Sequence, residues 1–387
     1  MSLRRAVVRS GVLSLAVALW GGAVLPVSHA GAASVVAIAV ATDLNDPTAF
    51  TFAADGRIVY AERSTGQIRI LDPAAGTNEL YFTVPRVAAG DGIVGLALHP
   101  RFPAKPFVYA FGSRMIHGVE TDQLLRIRGS SSVGSSMRVL LSFDAGTIAP
   151  AHHGGRLLFG PDRMLYLMVG DAGVPANAQD LGLPYGKVLR LTSAGAVPAD
   201  NPTPGSPVYA SGLRNSIGMT FDPRTGALWE SDNGPECNDE INVVHAGGNY
   251  GWGPTETCAT PPPPPANTNQ DGPDPIQPVS WFDTPVAPTG VTFCSSCQLG
   301  AGMRGDLVLG DYVDRTILDV TLDATRTAVV SRTVIYTHTH GVRTVETGPD
   351  GSIYFSDGTG IFRLSLGSAT GSSRRRMPAT INQKTPP

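Results

Sequence analysis

Six segments of this chain repeat one pattern, and this repetition limits the possible folds more than any other feature of the sequence. Each segment contains an apolar run, a turn built on Asp-Gly or a proline-containing equivalent, and further apolar runs separated by polar turns. Asp-Gly between β-branched and aromatic residues predicts a strand, a hairpin turn and a second strand. The segments are Ala49 to Leu71, Leu96 to Ile127, Leu157 to Leu191, Met219 to Val244, Gly302 to Leu322 and Val345 to Leu364.

Strand pairs that recur at intervals of roughly 40 to 85 residues predict the blades of a propeller. We therefore expect an all-β fold, a six-bladed β-propeller of four-stranded antiparallel blades, over residues 32–366. Residues 32–47 would supply a strand that closes the ring against the last blade. An irregular β-sandwich would not explain the sixfold recurrence of the turn. The 45 glycines, the 32 prolines and the low charged fraction of 16% also suit many short strands and tight turns.

Three regions fall outside the repeat. Residues 1–30 combine three arginines with an apolar run and a small-residue ending at Ala30, which predicts a secretory signal peptide. A membrane anchor is the alternative, but it would require a longer apolar span. Residues 259–288 contain five consecutive prolines and predict a stiff insertion over one face. Residues 367–387 predict a disordered tail.

Charge and compartment narrow the classes of partner. The net charge is −3, so no broad basic field favours nucleic acid. After removal of the signal peptide, no segment is apolar enough for stable membrane insertion. We therefore expect a secreted or extracytoplasmic protein, in the periplasm or cell envelope. The export route and the oligomeric state stay open.

The four cysteines favour disulfides in an exported chain. We expect Cys237 to pair with Cys258 and Cys294 with Cys297, although three pairings are possible. A zinc site made by four thiolates is the alternative.

Chemistry-bearing residues concentrate between Ala151 and Trp252. Within this stretch an imidazole, a guanidinium, a carboxylate or an amide repeatedly stands in a glycine-rich turn between short apolar runs. Such turns are typical of loops that present functional groups from a rigid scaffold.

Four motifs taken together resemble one known family, the soluble glucose/sorbosone dehydrogenases. This family includes aldose sugar dehydrogenases that use pyrroloquinoline quinone (PQQ) on a six-bladed propeller. The resemblance covers about residues 49–364 and is densest from His152 to Trp252. The motifs are Gly92-Ile93-Val94-Gly95-Leu96-Ala97-Leu98-His99-Pro100-Arg101-Phe102, His152-His153-Gly154-Gly155-Arg156-Leu157, Asp239-Glu240-Ile241-Asn242 and Gly248-Asn249-Tyr250-Gly251-Trp252.

The resemblance implies three catalytic residues. His152 matches the base that takes a proton from the sugar hydroxyl, a task that suits histidine. Asp171 matches the carboxylate that orients this base, and Arg214 matches the cation beside the quinone carbonyl. His153 matches a variable position. Because adjacent residues on a strand point to opposite faces, we expect at most one of the two histidines to face the site.

The resemblance also implies ligands for PQQ and calcium. Arg214, Asn215 and Arg343 match cofactor-binding positions. The main-chain carbonyls of Gly234 and Pro235 match the ligands of a calcium ion that bridges to the quinone. A second calcium ion would use Glu240 and the main chain of Tyr250, because calcium prefers hard oxygen ligands.

The chain departs from the family pattern where the cofactor carboxylates are held. Tyr312 and Val313 stand where the family has a lysine, and Arg343 alone remains of a pair of arginines. Arg315, His338 or His340 would have to compensate for the missing cations. His338 and His340 could instead form a metal pair on one strand face. Further departures are Asn233, where relatives have His or Gln, and Gly90-Asp91, where an acidic residue or Gln lies one position earlier.

These observations predict an exported oxidoreductase that oxidises an aldose at its anomeric carbon to a lactone, with hydride transfer to calcium-bound PQQ. An external electron acceptor would then reoxidise the cofactor. The alternative is a propeller of the same family that binds a carbohydrate or a protein and has lost PQQ. Calcium-dependent lactone hydrolysis is a third possibility, but it would require carboxylate and amide ligands that converge on the central axis, and the candidates here are turn residues that we do not expect to converge. The sequence does not identify the sugar or the natural acceptor.

Overall fold

The computed structural model describes residues 34–145, 152–255, 258 and 268–367, and it confirms the expected fold. Six sheets of four antiparallel strands surround a central axis, and only two short 3₁₀ helices occur in the described residues, Pro175–Gln179 and Ala301–Met303. We number the sheets as blades 1 to 6 in chain order and name their strands from the axis outward.

The strand bounds are as follows. Blade 1 contains β2 (Pro47–Phe52), β3 (Ile58–Glu62), β4 (Gln67–Asp72) and β5 (Thr77–Thr83); blade 2 contains β6 (Ile93–Leu98), β7 (Phe107–Ile116), β8 (Val119–Gly129) and β9 (Gly134–Asp144); blade 3 contains β10 (Leu157–Phe159), β11 (Leu165–Val169), β12 (Lys187–Leu191) and β13 (Val208–Ser211). Blade 4 contains β14 (Ser216–Phe221), β15 (Leu228–Asp232), β16 (Asp239–Val244) and β17 (Ser280–Phe282); blade 5 contains β18 (Pro288–Phe293), β19 (Leu307–Asp311), β20 (Thr316–Leu322) and β21 (Val329–Thr337); blade 6 contains β22 (Thr344–Thr347), β23 (Ile353–Ser356), β24 (Ile361–Leu366) and β1 (Val35–Ala41).

The first strand closes the ring, as the sequence predicts. β1 runs antiparallel to β24, from Val35 opposite Leu366 to Ala41 opposite Ile361. Two hydrogen bonds between neighbouring innermost strands reinforce the closure: Thr344 Oγ1 donates to the Thr48 carbonyl at 2.7 Å, and Thr48 Oγ1 donates to the Ile93 carbonyl at 2.8 Å.

The core lies between the faces of adjacent blades. Strands β3, β11, β15 and β19 are buried along their whole length, because each is the second strand of its blade and has sheets on both faces. The outer strands β5, β9 and β21 are largely exposed. Stacked sheets of this kind bury apolar side chains on both faces of the inner strands, which explains their continuous apolar runs.

Two details differ from the boundaries expected from the sequence. Ser280–Phe282, within the expected insertion 259–288, forms the outer strand of blade 4. The repeat that begins at Gly302 omits the innermost strand of blade 5, β18, because that strand begins at Pro288, the last residue of the expected insertion. Both disulfides form as predicted, Cys237–Cys258 and Cys294–Cys297.

Some expectations concern residues outside the described ranges. These are the signal peptide, the five-proline run and the tail beyond residue 367. In the part of the chain that the structure describes, no helix is long and apolar enough to cross a membrane.

Candidate functional site

The topology brings two sets of short segments to one face of the ring. In an antiparallel blade, the start of the innermost strand and the end of the second strand lie at the same edge of the sheet. The segments that precede the innermost strands therefore meet those that follow the second strands. They enclose a cavity of about 510 Å³ on the axis, within the size range of small-molecule sites.

All six blades contribute to the cavity wall, which is largely polar. The axis is therefore not filled by apolar side chains. The described residues that line it are Thr48, Arg63, Asp91, Val94, His153, Gly154, Arg214, Asn215, Ile217, Asn233, Gly234, Pro235, Asp239, Pro285, Ala287, Thr289, Tyr312 and Arg343.

His152 and Asp171 lie in contact, although 19 residues separate them. Nδ1 of His152 is 2.6 Å from Oδ1 of Asp171. Gly170 permits this approach, since a Cβ there would lie 2.2 Å from the His152 carbonyl oxygen. Asp171 is fully buried, and the His152 side chain is one-fifth exposed. Neither residue is among those that line the cavity, although the residue after His152, His153, does line it. The predicted pair is thus brought together.

Asp171 is held on several sides. Its Oδ2 accepts a hydrogen bond of 2.9 Å from the indole of Trp252, and its Oδ1 accepts one of 2.8 Å from the Gly173 amide. Its own amide donates to the Arg214 carbonyl at 2.8 Å, so His152 and Arg214 lie on the same face. The indole also connects Asp171 to Arg214, whose guanidinium carbon lies 5.4 Å from the centre of the Trp252 ring.

Arg214 and Asn215 are fixed by a buried carboxylate. Asp232 accepts hydrogen bonds of 2.7 Å from both main-chain amides. Burial raises the pKa of Asp232 to about 6, although these amides and the Arg214 charge oppose the shift. The Arg214 side chain donates to the Asn233 carbonyl at 2.9 Å, and the Asn215 side chain accepts from the Gly154 amide at 3.2 Å.

Three guanidinium groups line the cavity: Arg63, Arg214 and Arg343. Arg63 was not predicted from the sequence. The one signal for it is its position directly after β3, which corresponds to the position of Asn233 directly after β15. Arg343 pairs with Asp46 at 2.9 Å, and Arg63 lies 3.6 Å from Asp91. None of the three candidates for compensating cations, Arg315, His338 and His340, lines the cavity.

Only one of the two residues at the lysine position of the family reaches the cavity. Tyr312 lines it, and Arg343 lies 5.6 Å from the Tyr312 ring centre. Val313 is 51% exposed and lies outside the wall. A lysine introduced to restore the family pattern should therefore replace Tyr312, because a side chain at position 313 lies on the solvent-exposed side of the cavity wall.

The Gly234-Pro235 turn is shaped by Asp239. Asp239 accepts the Gly234 amide at 2.8 Å and also the Val286 and Ala287 amides at 2.6 and 2.7 Å. A Cβ at Gly234 would lie 2.3 Å from the Cys237 carbonyl oxygen, so the turn requires glycine. No described residue donates a hydrogen bond to the carbonyls of Gly234 and Pro235.

Glu240 and the Tyr250 carbonyl belong to a second, buried cluster of oxygen atoms, in which two asparagines connect them. Asn238 donates from Nδ2 to Glu240, and it lies 3.1 Å from Asn269, which donates to the Tyr250 carbonyl at 2.7 Å. Burial, with a contribution from the Asp232 charge, raises the pKa of Glu240 to about 8. The buried oxygens Oε2 of Glu230 and Oδ1 of Asn238 have no hydrogen-bond partner in the described structure. Buried oxygens of this kind, beside carboxylates, are the type of ligand that calcium prefers, although both Glu240 oxygens and the Tyr250 carbonyl already accept hydrogen bonds from asparagine side chains.

His153 is a cavity residue that sequence reasoning set aside as variable. It is 7% exposed, and its Nδ1 lies 3.0 Å from Oδ2 of Asp122. Burial alone would lower the pKa of His153, but the hydrogen bond to Asp122 and the charges of Asp122, Asp91 and Glu120 raise it. Of the two adjacent histidines, His153 is the one on the cavity wall.

Carboxylate and amide groups do converge on the axis, contrary to the expectation from the sequence. Asn215, Asn233, Asp239 and Asp91 all line the cavity. Both oxygens of Asp239 accept main-chain amides, however, so this carboxylate serves mainly to hold the loops.

Known proteins resemble this chain in sequence and in fold. Residues 44–361 match the family model described as Glucose / Sorbosone dehydrogenase. Over 246 residues the chain is 32% identical to quinoprotein glucose dehydrogenase B of Acinetobacter calcoaceticus, covering 55% of this chain and 51% of that protein. Over 339 residues it is 27% identical to aldose sugar dehydrogenase YliI of Escherichia coli, covering 80% of this chain and 86% of that protein.

A solved structure extends the likeness to a cofactor-bound protein. The PQQ-bound form of aldose sugar dehydrogenase from Streptomyces coelicolor superposes with a TM-score of 0.71 at 25% identity. The match covers 86% of this chain and 99% of that one.

Proposed function

Because this chain belongs to the glucose/sorbosone dehydrogenase family, we propose that it is an exported, calcium-dependent sugar dehydrogenase that oxidises an aldose at the anomeric carbon to a lactone. The observation that carries the proposal is the His152–Asp171 pair, held beside a polar axial cavity on the same face as Arg214. An external acceptor would take up the electrons after each turnover.

His152 would act as the base. If Nδ1 donates its proton to Asp171, Nε2 is left with a lone pair that can take the proton of the anomeric hydroxyl. The buried Asp171 keeps the ring in this tautomer and stabilises the imidazolium once it forms. Trp252 and Gly173 fix the carboxylate in turn.

The residues present fit PQQ. When bound, this cofactor supplies the acceptor for the hydride that leaves the anomeric carbon. Its carboxylates require fixed cations, and Arg63, Arg214 and Arg343 line the cavity. We propose that Arg214 and Asn215 hold the quinone end and Arg343 a carboxylate. Arg214 can then stabilise negative charge as it develops.

The chain also offers oxygen ligands for calcium at both expected places. Gly234 and Pro235 line the cavity, and no described residue donates a hydrogen bond to their carbonyls, which suits them to an ion beside the quinone. Glu240 and the Tyr250 carbonyl belong to the buried oxygen cluster and suit a second, structural ion. There the ion would hold Glu240 ionised, which burial otherwise opposes.

The decisive experiment is a titration of the calcium-loaded protein with PQQ while dye reduction is recorded with a panel of aldoses. We expect saturable quinone uptake and turnover with at least one aldose. His152→Gln should retain uptake and lose about 10²–10⁴-fold in turnover, the usual contribution of a general base. Full turnover by that variant would contradict the role of His152.

A failure to take up quinone at high micromolar concentration would instead favour the second candidate, a carbohydrate- or protein-binding propeller. The observation on its side is the tyrosine at position 312, where the family has a lysine, because it leaves the cavity with fewer cations than the family provides.

Calcium is tested separately by counting bound ions after chelation and readdition. We expect Glu240→Gln to remove one ion and to lower the calcium-dependent rise in melting temperature. Quinone uptake should still respond to calcium through the carbonyls of Gly234 and Pro235. An unchanged ion count in this variant would place the structural ion elsewhere.

Export is proposed from the N-terminal sequence, and two disulfides suit an oxidising compartment. N-terminal sequencing of the protein recovered outside the cytoplasm should give a chain that begins just after Ala30. Recovery of the intact N-terminus would contradict the signal peptide.

A further inference from the structure

A second cluster of potential ligands, two of which line the cavity, is not used by the proposed oxidation. Asp91, Glu120 and His153 each offer one ligand atom, and these atoms lie within 4.8 Å of one another. Asp91 precedes β6, Glu120 lies near the start of β8, and His153 precedes β10. The cluster therefore joins blades 2 and 3 at the site face.

The histidine is already oriented as metal-binding histidines are. Its Nδ1 lies 3.0 and 3.1 Å from the two oxygens of Asp122, and Ser113 Oγ donates to the same carboxylate at 2.5 Å. Asp122 and Glu120 are two residues apart on β8, so both point to the same side of the sheet. A carboxylate on one imidazole nitrogen fixes the tautomer that leaves the other nitrogen free as a ligand.

The other imidazole nitrogen makes no hydrogen bond in the described structure. Nε2 of His153 is buried without a hydrogen-bond partner, and so is Oε1 of Glu120. Nε2 lies 3.5 Å from Oδ1 of Asp91. Two ligands of a tetrahedral zinc ion stand about 3.3 Å apart, so this pair is nearly at coordination distance.

Charge balance points the same way. Three carboxylates, Asp91, Glu120 and Asp122, surround one imidazole, and the Arg63 guanidinium lies 3.6 Å from Asp91 on the cavity side. A divalent cation would offset this excess of negative charge more fully than a proton on His153 could.

We propose that Asp91, Glu120 and His153 bind a divalent transition-metal ion of the zinc class, with Asp122 as the group that orients His153. One imidazole with two carboxylates suits such an ion better than calcium, which prefers oxygen ligands only. Three protein ligands leave a fourth position open. Since Asp91 and His153 line the cavity, that position faces it and can accept an oxygen of a bound ligand.

The test is a calorimetric titration of the untagged, quinone-free, full-length protein with Zn²⁺, in calcium excess that fills the oxygen-only sites. We expect one zinc ion per chain. His153→Gln should weaken binding at least 100-fold, and Asp122→Asn should weaken it about 10- to 100-fold, as loss of an orienting group does. Glu120→Gln, at a partly exposed position, should also weaken binding, and its melting curve checks that the fold is intact.

The matched control is His340→Gln. His338, His340 and Asp357 form the other group of potential ligands in the described residues, but Asp357 already accepts hydrogen bonds from His338 and from main-chain amides. Zinc binding should be unchanged in this variant. X-ray absorption of the zinc-loaded protein should show imidazole and oxygen ligands without sulfur.

Zinc binding that survives His153→Gln, binding lost in His340→Gln, or no saturable uptake would each overturn the proposal. The titration contains neither quinone nor sugar. A failure of the proposed dehydrogenase activity would therefore leave its result unaffected.

Discussion

At the scale of single residues, the site depends on side chains that hold other side chains. Asp171 contacts His152, and Trp252 contacts Asp171. Lys187 has a similar supporting task, because its buried ammonium donates to three main-chain carbonyls at 2.6 to 2.9 Å, including those of Asn177 and Ala178. Burial lowers the pKa of Lys187 to about 7, yet three acceptors match the three donors of the charged form. Asn177 in turn donates to the Asp171 carbonyl at 3.0 Å.

Trp252→Phe tests the support of Asp171. Phenylalanine keeps an aromatic ring beneath Arg214 but removes the indole N–H from the buried carboxylate. We expect turnover to fall about tenfold, with quinone affinity nearly unchanged, because the base is less well oriented. The control is Trp281→Phe, an exposed tryptophan whose indole bonds only to Asp283. Equal effects of the two substitutions would argue against a specific role for Trp252.

Tyr312→Lys tests the charge requirement of the cavity. A cation at this position should tighten PQQ binding about tenfold at low salt, and the gain should shrink as salt rises. Val313→Lys is the matched control, since Val313 is exposed outside the cavity and should change the affinity little. The test is to measure the PQQ dissociation constants of both variants at two salt concentrations. A gain limited to position 313 would show that the cofactor carboxylates lie elsewhere.

At the scale of elements, side-chain hydrogen bonds hold the turns that follow the second strands of the blades. In blade 6, Asp357 closes such a turn: its Oδ1 accepts the Thr359 and Gly360 amides at 2.6 and 2.7 Å, and its Oδ2 accepts from His338 at 2.9 Å. Burial alone would raise the pKa of Asp357, but these hydrogen bonds outweigh it and lower the pKa to about 2.

The shift gives a prediction with a definite sign. The folded-state pKa lies below the ordinary value of 3.8, so the unfolded chain binds more protons between pH 4 and 2. The contribution of Asp357 to stability is therefore present above pH 4 and is lost as the pH falls towards 2. Asp357→Asn should cost about 1–2 kcal/mol at pH 6 and clearly less at pH 3. Urea unfolding at both pH values measures the difference, and a constant gap would refute the assignment.

At the scale of the whole molecule, the ring is closed by β1, which is far from its partner β24 in sequence. Without it, β24 becomes an unpaired edge and the last blade has three strands. We expect removal of residues 1–41 to destabilise the protein by several kcal/mol, or about 10 °C in melting temperature. Removal of residues 1–33 keeps β1 and serves as the control. Equal melting temperatures for the two truncated chains would show that ring closure contributes little.

The sequence by itself determined the blade repeat and the closing strand, and it favoured the two observed disulfides among three possible pairings. The repeat and the closing strand follow from local turn chemistry and from alternation along strands, whereas the pairing of His152 with Asp171 was implied by the resemblance to a known family. The bounds of blades 4 and 5 were less certain, because an irregular, proline-rich insertion separates the strands there and interrupts the repeat.

Only the tertiary structure decided which side chains share the cavity. Arg63, Asp91 and His153 come from three different blades, and Trp252 reaches Asp171 across 81 residues. The tertiary structure also decided that Tyr312, and not Val313, lines the cavity. Such meetings depend on how six sheets pack around one axis, and that arrangement results from contacts between residues far apart in the chain. No local pattern in the sequence records those contacts.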